Sequence, residues 1–347
     1  MGETVPDGPS LGLGRWGKAT FTETGMTVAL VTGGSGFVGR FLVRELVAAG
    51  YRVHATYHGE RPRPEAYPAG VTWWPLDVVV PADWQAVLDG VCPDAIFHLA
   101  GLAHVGRSWQ DPHRYLQVNF WGTFYLMDAL VRADRRPRVL LVGSAEVYGS
   151  VRPEENPIRE TQPLRPVSPY GLSKACQELL GFQYYQAYQI PVIVTRSFNH
   201  VGPGQHSGFV CADFASQIAC IEAGGAEPVL RVGNLEAVRD FTDVRDIARA
   251  YRLLVERGRP GEAYNVCSGR GVSIRDLLQE LLRLASVPIR VETDPRRYRR
   301  VDIPVLVGDP TKIRDHTGWV PTYAFQQTLA DILDEWRRGR RVTGDEP

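Results

Sequence analysis

Three side chains suited to proton transfer lie in the middle of the chain. Tyr170 and Lys174 are four residues apart in a segment with helical apolar spacing, so they share one helix face. Interconverting a carbonyl and an alcohol moves a hydride and a proton together, and a positioned phenol can supply or take that proton. A free phenol has a pKa of about 10, and the ammonium of Lys174 would favour the phenolate. Ser144 follows a predicted strand and is expected to bond the same substrate oxygen.

A glycine-rich turn near the start of the chain is suited to a dinucleotide. The predicted strand at residues 28–32 runs into Gly33, Gly36 and Gly39, in a G-x-x-G-x-x-G spacing, and a helix follows. Glycine tolerates positive φ and lets the backbone approach a pyrophosphate, and the N–H groups of a helix N-terminus favour anions. This placement between a first strand and a first helix predicts binding of a nicotinamide cofactor.

The end of the second predicted strand bears on the choice of cofactor. NAD sites usually carry an acidic residue at this point, which bonds the ribose hydroxyls, and the strand end here has none. His58, Arg61 and Arg63 could contact a 2′-phosphate instead, so the sequence favours NADP(H) and leaves NAD(H) open. Asp77 follows a further strand, where it is placed either to meet the adenine or to cap a turn or helix.

The order of predicted elements indicates how these groups are positioned. Up to about residue 200, strands alternate with helices, which predicts an α/β fold with a doubly wound parallel sheet of the Rossmann type. Beyond Asn199 the elements shorten and Gly and Pro become frequent, which predicts a smaller C-terminal substrate lobe. We therefore expect a disordered leader at 1–25, a dinucleotide-binding domain at 26–200, and mainly a substrate-binding lobe at 201–340, with some segments returning to the sheet.

Composition argues against several classes of protein. Of 347 residues, 39 are Lys or Arg and 39 are Asp or Glu, so the basic excess usual in nucleic-acid binders is lacking. Five cysteines without a Cys-x-x-Cys pair argue against a disulfide framework or a zinc site and fit a reducing cytoplasm. The sequence has no apolar run near the roughly 18 residues that a membrane span needs. We expect a cytoplasmic enzyme with no metal, membrane or nucleic-acid partner.

Together these segments resemble the extended short-chain dehydrogenase/reductase family. Besides the glycine turn, the hallmarks are H-L-A-G at 98–101, V-N-F-W-G-T around Asn119, S-A-E-V-Y-G at 144–149 and S-P-Y-G-L-S-K at 168–174. The resemblance covers residues 26 to about 337. Within the family, the chain most resembles the group of GDP-mannose 4,6-dehydratase and GDP-4-dehydro-6-deoxy-D-mannose reductase. The segments that carry this likeness are residues 197–205, 208–210, 229–235, 239–246 and 264–269.

The resemblance implies contacts to the cofactor and to a nucleotide sugar. The implied cofactor contacts are Gly33, Gly36, Phe37, Val38, Gly39, His58, Arg61, Asp77, Val78, Leu99, Ala100, Gly101, Asn119, Tyr170, Lys174, Phe198 and His200. The implied substrate contacts are Ser108, Asn199, Arg231, Arg239 and Arg299. An amide donor at Asn199 and guanidinium forks at Arg239 and Arg299 suit diphosphate oxygens, with a loop hydrogen bond or surface ion pairs as the alternative. Arg300 could take the place of Arg299.

The sequence indicates the type of reaction less clearly than it indicates the cofactor site. A glutamate at the position of Glu146 is the C5 base of 4,6-dehydratases, but the resembling reductases carry it too, and Ala145 argues only against the dTDP-glucose type. We favour NAD(P)H-dependent reduction of the C4 ketone of a GDP-6-deoxy-4-keto-hexose, with Ser144, Glu146, Tyr170 and Lys174 as catalytic residues. The alternatives are a 4,6-dehydratase or 4-epimerase with tightly bound NAD(P)+, and a non-catalytic dinucleotide sensor.

The resemblance also implies an assembly. Relatives commonly pair as homodimers through two long helices, which correspond here to the predicted helices at residues 115–133 and 170–188. Their apolar faces could equally belong to the core, so the homodimer is an expectation.

Overall fold

The strands of the first half of the chain are continuous apolar runs, as expected for a sheet covered by helices on both faces. The computed structural model describes residues 26–298 and 301–343, so the predicted leader lies outside the described residues. The strands are β1 (Val28–Thr32), β2 (Arg52–Tyr57), β3 (Thr72–Pro75), β4 (Ala95–His98), β5 (Arg138–Val142), β6 (Val192–Ser197), β7 (Asn199–Val201), β8 (Val229–Val232), β9 (Val238–Asp243), β10 (Ala263–Val266), β11 (Gly271–Ser273), β12 (Arg290–Thr293) and β13 (Val305–Leu306).

Seven of these strands form one parallel sheet in the order β10-β6-β5-β4-β1-β2-β3. The helices are α1 (Phe37–Ala48), α2 (Pro81–Val91), α3 (Val105–Ser108), α4 (Pro112–Tyr115), α5 (Gly122–Arg132), α6 (Pro169–Tyr188), α7 (Val210–Glu222), α8 (Val244–Arg257), α9 (Ile274–Leu284), α10 (Thr311–Thr317) and α11 (Phe325–Thr343). Residues of α1 and α8 form the core on one face of the sheet, and residues of α2, α5 and α6 form it on the other. The predicted doubly wound Rossmann fold is confirmed.

The strand order reverses at β1, which pairs with β2 on one side and β4 on the other. In open α/β sheets the ligand crevice lies at such a point, outside the carboxyl ends of the strands. The turn that begins at Gly33 and the segment that follows His98 both start there, so the fold brings the glycine turn beside the middle of the sheet.

The long helix predicted at residues 115–133 is interrupted. After α4, residues Leu116–Trp121 form a π-helical segment, and α5 continues from Gly122. Such segments are rare and frequently occur at functional sites. Asn119, a predicted cofactor contact, lies within it and is fully buried.

The C-terminal half of the chain forms a smaller lobe with its own core and also adds a strand and a helix to the seven-stranded sheet and its core. Strand β9 pairs with β7, β11 and β13, strand β8 pairs with β12, and a separate apolar core includes residues of α7, α9 and α11. Strand β10 and helix α8, although late in the sequence, belong to the seven-stranded sheet and its core. No helix in the described parts of the chain is long and apolar enough to cross a membrane.

Candidate active site

The turn between β1 and α1 has a shape that only glycines permit. Gly33 has φ +65°, its N–H donates to Oγ1 of Thr56, and its carbonyl accepts from the N–H of Gly36. A Cβ on Gly33 would lie 3.0 Å from the Cα of Ala100, and one on Gly39 would lie 2.2 Å from the oxygen of Gly33. The turn is therefore packed both against the residues that follow β4 and against helix α1.

Ser144 and Tyr170 converge at the carboxyl end of β5. Ser144 comes two residues after the strand, and its hydroxyl accepts from the N–H of Glu146 at 3.2 Å and lies close enough to the phenol of Tyr170 to lower the pKa of that phenol. Tyr170 begins α6, where the hydroxyl of Ser168 caps the N–H of Gly171. Both side chains are 8% exposed, so the pair is shielded from bulk water but retains an opening.

Lys174 lies one helical turn after Tyr170 and is almost fully buried. Its ammonium donates to the carbonyl of Val142 at 2.7 Å and to Oε1 of Gln177 at 2.9 Å. A Cβ built on Gly101 would lie 3.5 Å from this ammonium and 2.8 Å from Oδ1 of Asn119. Gly101 therefore packs closely against Asn119 and lies beside the ammonium, where a larger residue would meet both side chains.

Burial shifts the pKa of both Tyr170 and Lys174. It raises the pKa of Tyr170, the Ser144 hydroxyl lowers it, and the Glu146 carboxylate raises it further. Burial lowers the pKa of Lys174 to about 7. Burial is thus the largest influence on the pKa of Tyr170 in this structure, and a lowering of that pKa by Lys174 stays a prediction from the sequence. The phenol is thus held protonated, as a proton donor requires.

A hydrogen-bonded layer beneath these groups fixes the strand ends. The ring of His98 bonds Oγ1 of Thr32 at 2.9 Å and Oγ1 of Thr123 at 3.1 Å, and Oγ1 of Thr123 donates to the carbonyl of Asn119. Burial, with a smaller contribution from Lys174, lowers the pKa of His98 to about 3, so the ring is neutral. The amide of Asn119 bonds both backbone groups of Leu102 and Oγ of Ser173.

The other predicted cofactor contacts lie along the same edge of the sheet. Gly36, Phe37, Val38 and Gly39 open α1, Leu99, Ala100 and Gly101 follow β4, and Phe198 and His200 follow β6. His58 and Arg61 follow β2 and are exposed.

Asp77 and Val78 follow β3. Oδ1 of Asp77 accepts from the N–H of Val79 at 3.1 Å. This bond corresponds to the turn-capping role, the alternative to contact with the adenine. Val78 is buried against Gly122, where an added Cβ would meet its side chain.

A cavity of about 250 Å³ opens in the C-terminal lobe next to Asn199. It is lined by Asn199, Gly208, Val210, Asp213, Phe214, Gly233, Asn234, Ala237, Arg239, Ile274, Arg297 and Asp302. Arg239 is 4% exposed and pairs with Asp302 at 2.8 Å, while Arg297 pairs with Asp213 at 2.7 Å. The wall thus holds two guanidinium groups, each neutralised by a carboxylate.

The predicted substrate contacts are only partly brought together. Asn199 and Arg239 line the cavity, but Arg231 is exposed on β8, where its backbone bonds Gln217. Ser108 is fully buried, and its hydroxyl donates to the carbonyl of Val105. Arg299, and Arg300 beside it, lie outside the described residues.

The sequence reading missed several residues of the site. Asp302, Asn234, Asp213 and Arg297 were not singled out, because their pairing across the cavity depends on tertiary structure. Gln177 was missed although a signal existed, since it lies three residues after Lys174 and therefore on the same helix face.

The described residues fit a dinucleotide. Glycines at three positions let the turn pack closely against its neighbours, the N-terminus of α1 presents N–H groups, and Lys174 lies beside Gly101. A buried serine, tyrosine and lysine at the edge of a doubly wound sheet define a short-chain dehydrogenase/reductase of the extended type.

Comparison with known proteins identifies the family within this class. The chain belongs to the GDP-mannose 4,6-dehydratase family, whose model matches residues 30–332. It is 38% identical over 306 residues to GDP-6-deoxy-D-mannose reductase from Pseudomonas aeruginosa, covering 88% of this chain and 96% of that protein. It is 30% identical over 319 residues to UDP-glucose 4-epimerase from Streptomyces lividans, covering 88% of this chain and 94% of that protein.

A solved structure shows the same similarity. The structure of RMD from Pseudomonas aeruginosa complexed with NADPH superposes with a TM-score of 0.79 at 34% identity, covering 90% of this chain and all of that one. The predicted membership of the extended short-chain dehydrogenase/reductase family is therefore confirmed.

Proposed function

We propose that this protein is an NADP(H)-dependent reductase that converts the C4 ketone of a GDP-6-deoxy-4-keto-hexose to an alcohol. The burial of the Tyr170 phenol beside the Ser144 hydroxyl, close enough for that hydroxyl to lower the phenol's pKa, is the observation that carries the proposal, because it places a protonated phenol where a proton donor is needed. The similarity to GDP-6-deoxy-D-mannose reductase supports the substrate, and the similarity to the NADPH complex supports the cofactor.

The bound cofactor supplies the hydride in such a reduction. Ser144 and Tyr170 would both bond the ketone oxygen, so that negative charge developing there meets two donors in a water-poor site. Tyr170 then gives its proton to the new alkoxide. Lys174 would hold the cofactor's ribose with its ammonium and offset the charge left on the phenolate.

The cavity next to Asn199 would hold the nucleotide diphosphate. Phosphate oxygens are bound most strongly by guanidinium groups and amide donors, and Arg239 and Asn199 offer both. Since Arg239 is already paired with Asp302, we expect the diphosphate to compete with that carboxylate for the guanidinium. The functional assignment of Arg299 stays a prediction from the resemblance, as do those of Arg231 and Ser108.

The direct test supplies purified protein with a GDP-linked 6-deoxy-4-keto sugar and follows the absorbance of reduced nicotinamide, with NADPH and NADH in separate reactions. We expect oxidation of NADPH that depends on the sugar, faster than with NADH, and a 6-deoxyhexose product. The matched control omits the keto sugar. If the reduced cofactor is not consumed in the presence of the keto sugar, the proposed function is wrong.

Glu146 favours a second candidate, a 4,6-dehydratase that uses tightly bound NADP+. The carboxylate is half-buried and lies close enough to raise the pKa of the Tyr170 phenol, so a base is available beside the same reaction centre. This candidate would convert GDP-mannose to the 4-keto sugar without added cofactor. Product analysis of GDP-mannose incubated with the enzyme as purified separates the two candidates.

We also propose that the protein acts as a homodimer. Large apolar side chains project into solvent from the π-helical segment and from α6, namely Trp121, Leu172, Leu179 and Phe182. Exposed apolar side chains on two neighbouring helical segments suit burial against a second copy of the same face. Sedimentation equilibrium should give a dimer, and Leu179→Glu should give a monomer, whereas Leu284→Glu, on the exposed end of α9, should not. A monomeric wild-type protein at micromolar concentration would contradict this.

A further inference from the structure

Gln177 is buried directly behind the catalytic lysine. It lies three residues after Lys174 on α6, and its side chain is 1% exposed. Its Oε1 accepts a hydrogen bond from the Lys174 ammonium at 2.9 Å. The side chain therefore contacts the group that faces the cofactor cleft without lying in the cleft wall itself.

The environment of Gln177 is unfavourable for its own amide. Its Nε2 is buried and finds no hydrogen-bond partner among residues 26–298 and 301–343. A buried donor without a partner destabilises a fold, and an apolar side chain of similar length would avoid that cost. The stability of the fold does not account for a glutamine here, so the bond to Lys174 is what the residue contributes.

An ammonium group has three N–H donors and no acceptor. The carbonyl of Val142 and Oε1 of Gln177 take two of them, at 2.7 Å and 2.9 Å. Gly101 lies beside this nitrogen, since a Cβ built on it would be 3.5 Å from Nζ. The two acceptors on the protein side thus leave the third donor for another partner.

We propose that Gln177 is a positioning residue that keeps the Lys174 ammonium charged and turned toward the cofactor ribose, an inference that rests on the proposed function. The two acceptors that hold the ammonium are neutral oxygens. Removing one makes the buried charge harder to maintain, while replacing it by a carboxylate makes the charge easier to maintain.

Other titratable groups surround this corner of the site. The ring of His98 on β4 faces the ammonium and is neutral, because its pKa is about 3. The groups that act on the adjacent phenol are Glu146 after β5, Tyr115 on α4 and Tyr251 on α8. None of these is altered in Gln177→Met, so a change in its pH dependence can be assigned to the lysine, whereas Gln177→Glu adds one carboxylate of its own.

The test uses Gln177→Met, which keeps the length but lacks a strong acceptor, and Gln177→Glu, which adds a carboxylate. Dissociation constants for NADPH are measured by fluorescence titration across neutral and alkaline pH. Burial lowers the pKa of Lys174 to about 7. We expect the alkaline loss of NADPH affinity to move to lower pH in Gln177→Met and to higher pH in Gln177→Glu, each by about one pH unit, or tenfold in proton affinity.

Gln279→Met is the matched control, because Gln279 is an exposed residue of α9 and undergoes the same chemical change. Its pH dependence should equal that of the wild type. Thermal unfolding of each variant verifies that it folds. NADPH binding curves that do not shift in either Gln177 variant would overturn the proposal.

The same variants also separate this inference from the proposed function. NADPH titration needs no sugar substrate, so opposite shifts in binding would support the role of Gln177 even if no keto sugar were reduced. If the sugar is reduced, the alkaline limb of kcat/KM should shift in the same directions as the binding curves. Reduction with unshifted limbs and unshifted binding would leave the proposed function intact and refute the role of Gln177.

Discussion

Replacing Gly39 with alanine tests whether the close approach of α1 to the glycine turn is needed to bind the cofactor. The added Cβ would lie 2.2 Å from the carbonyl oxygen of Gly33 and 2.8 Å from the Cα of Gly34. Ordinary contact begins at 3.4 Å, so backbone atoms must move apart by roughly 1.2 Å. No side chain can rotate to relieve this overlap, because both atoms belong to the backbone.

The expected loss follows from what the displaced backbone does. The N–H groups of the turn and of the first turn of α1 would be the donors to the pyrophosphate, and a hydrogen bond to a charged group contributes about 1.5–3 kcal/mol. Losing the geometry of one such bond raises the dissociation constant for NADPH by roughly 10- to 100-fold. Overpacking at this site should also lower the free energy of unfolding by about 1–3 kcal/mol.

The assay combines fluorescence titration of NADPH with thermal unfolding of the unliganded protein. The matched control is Gly339→Ala, a glycine in helix α11 where no atom lies within 4 Å of an added Cβ. That change should leave binding unaltered and stabilise the helix by about 0.5–1 kcal/mol. The reasoning fails if Gly39→Ala binds NADPH with the wild-type dissociation constant and melts at the wild-type temperature.

Three further substitutions test the proton donor, the substrate cavity and the core beneath the site. Tyr170→Phe should lower kcat by about 10²-fold or more with NADPH affinity retained; wild-type turnover would exclude Tyr170 as the proton donor. Arg239→Ala should raise KM for the GDP-sugar by roughly 10- to 100-fold without altering the dissociation constant for NADPH, and an unchanged KM would place the diphosphate elsewhere. Glu178→Ala leaves the guanidinium of Arg196 buried and unpaired, since the two lie 2.6 Å apart, and should cost about 3–5 kcal/mol in urea unfolding. A loss below about 1 kcal/mol, as for a surface pair, would refute that reading.

The fold could be predicted because its signals are local. Each strand of the first half is an apolar run, the glycine turn fixes the start of α1, and the alternation of strand and helix implies parallel pairing. The interruption at Leu116–Trp121 could not be predicted, because an apolar pattern does not distinguish α from π hydrogen bonding over six residues.

The candidate site likewise contains some residues whose placement follows from the sequence and others whose placement depends on the tertiary structure. Tyr170 and Lys174 are close in sequence, so their shared face follows from helix geometry, and Ser144 follows from its place after a strand. The pairing of Arg239 with Asp302, 63 residues away, arises only when β9 and the segment before β13 meet. The direction in which the fold shifts the pKa of Tyr170 was also beyond the sequence, because it depends on how much water the fold removes from around the phenol.

Strand β10 has a consequence for how the molecule is made. It closes one edge of the seven-stranded sheet by pairing with β6, and its Tyr264 and Val266 are completely buried. During synthesis the first six strands of that sheet therefore emerge before their edge partner. The edge of β6 stays unpaired until about residue 266 has left the ribosome and β10 can form. A fragment ending near residue 200 would expose that edge and the surface that α8 covers. The cofactor-binding and substrate-binding regions are therefore expected to fold only when both are present in one chain.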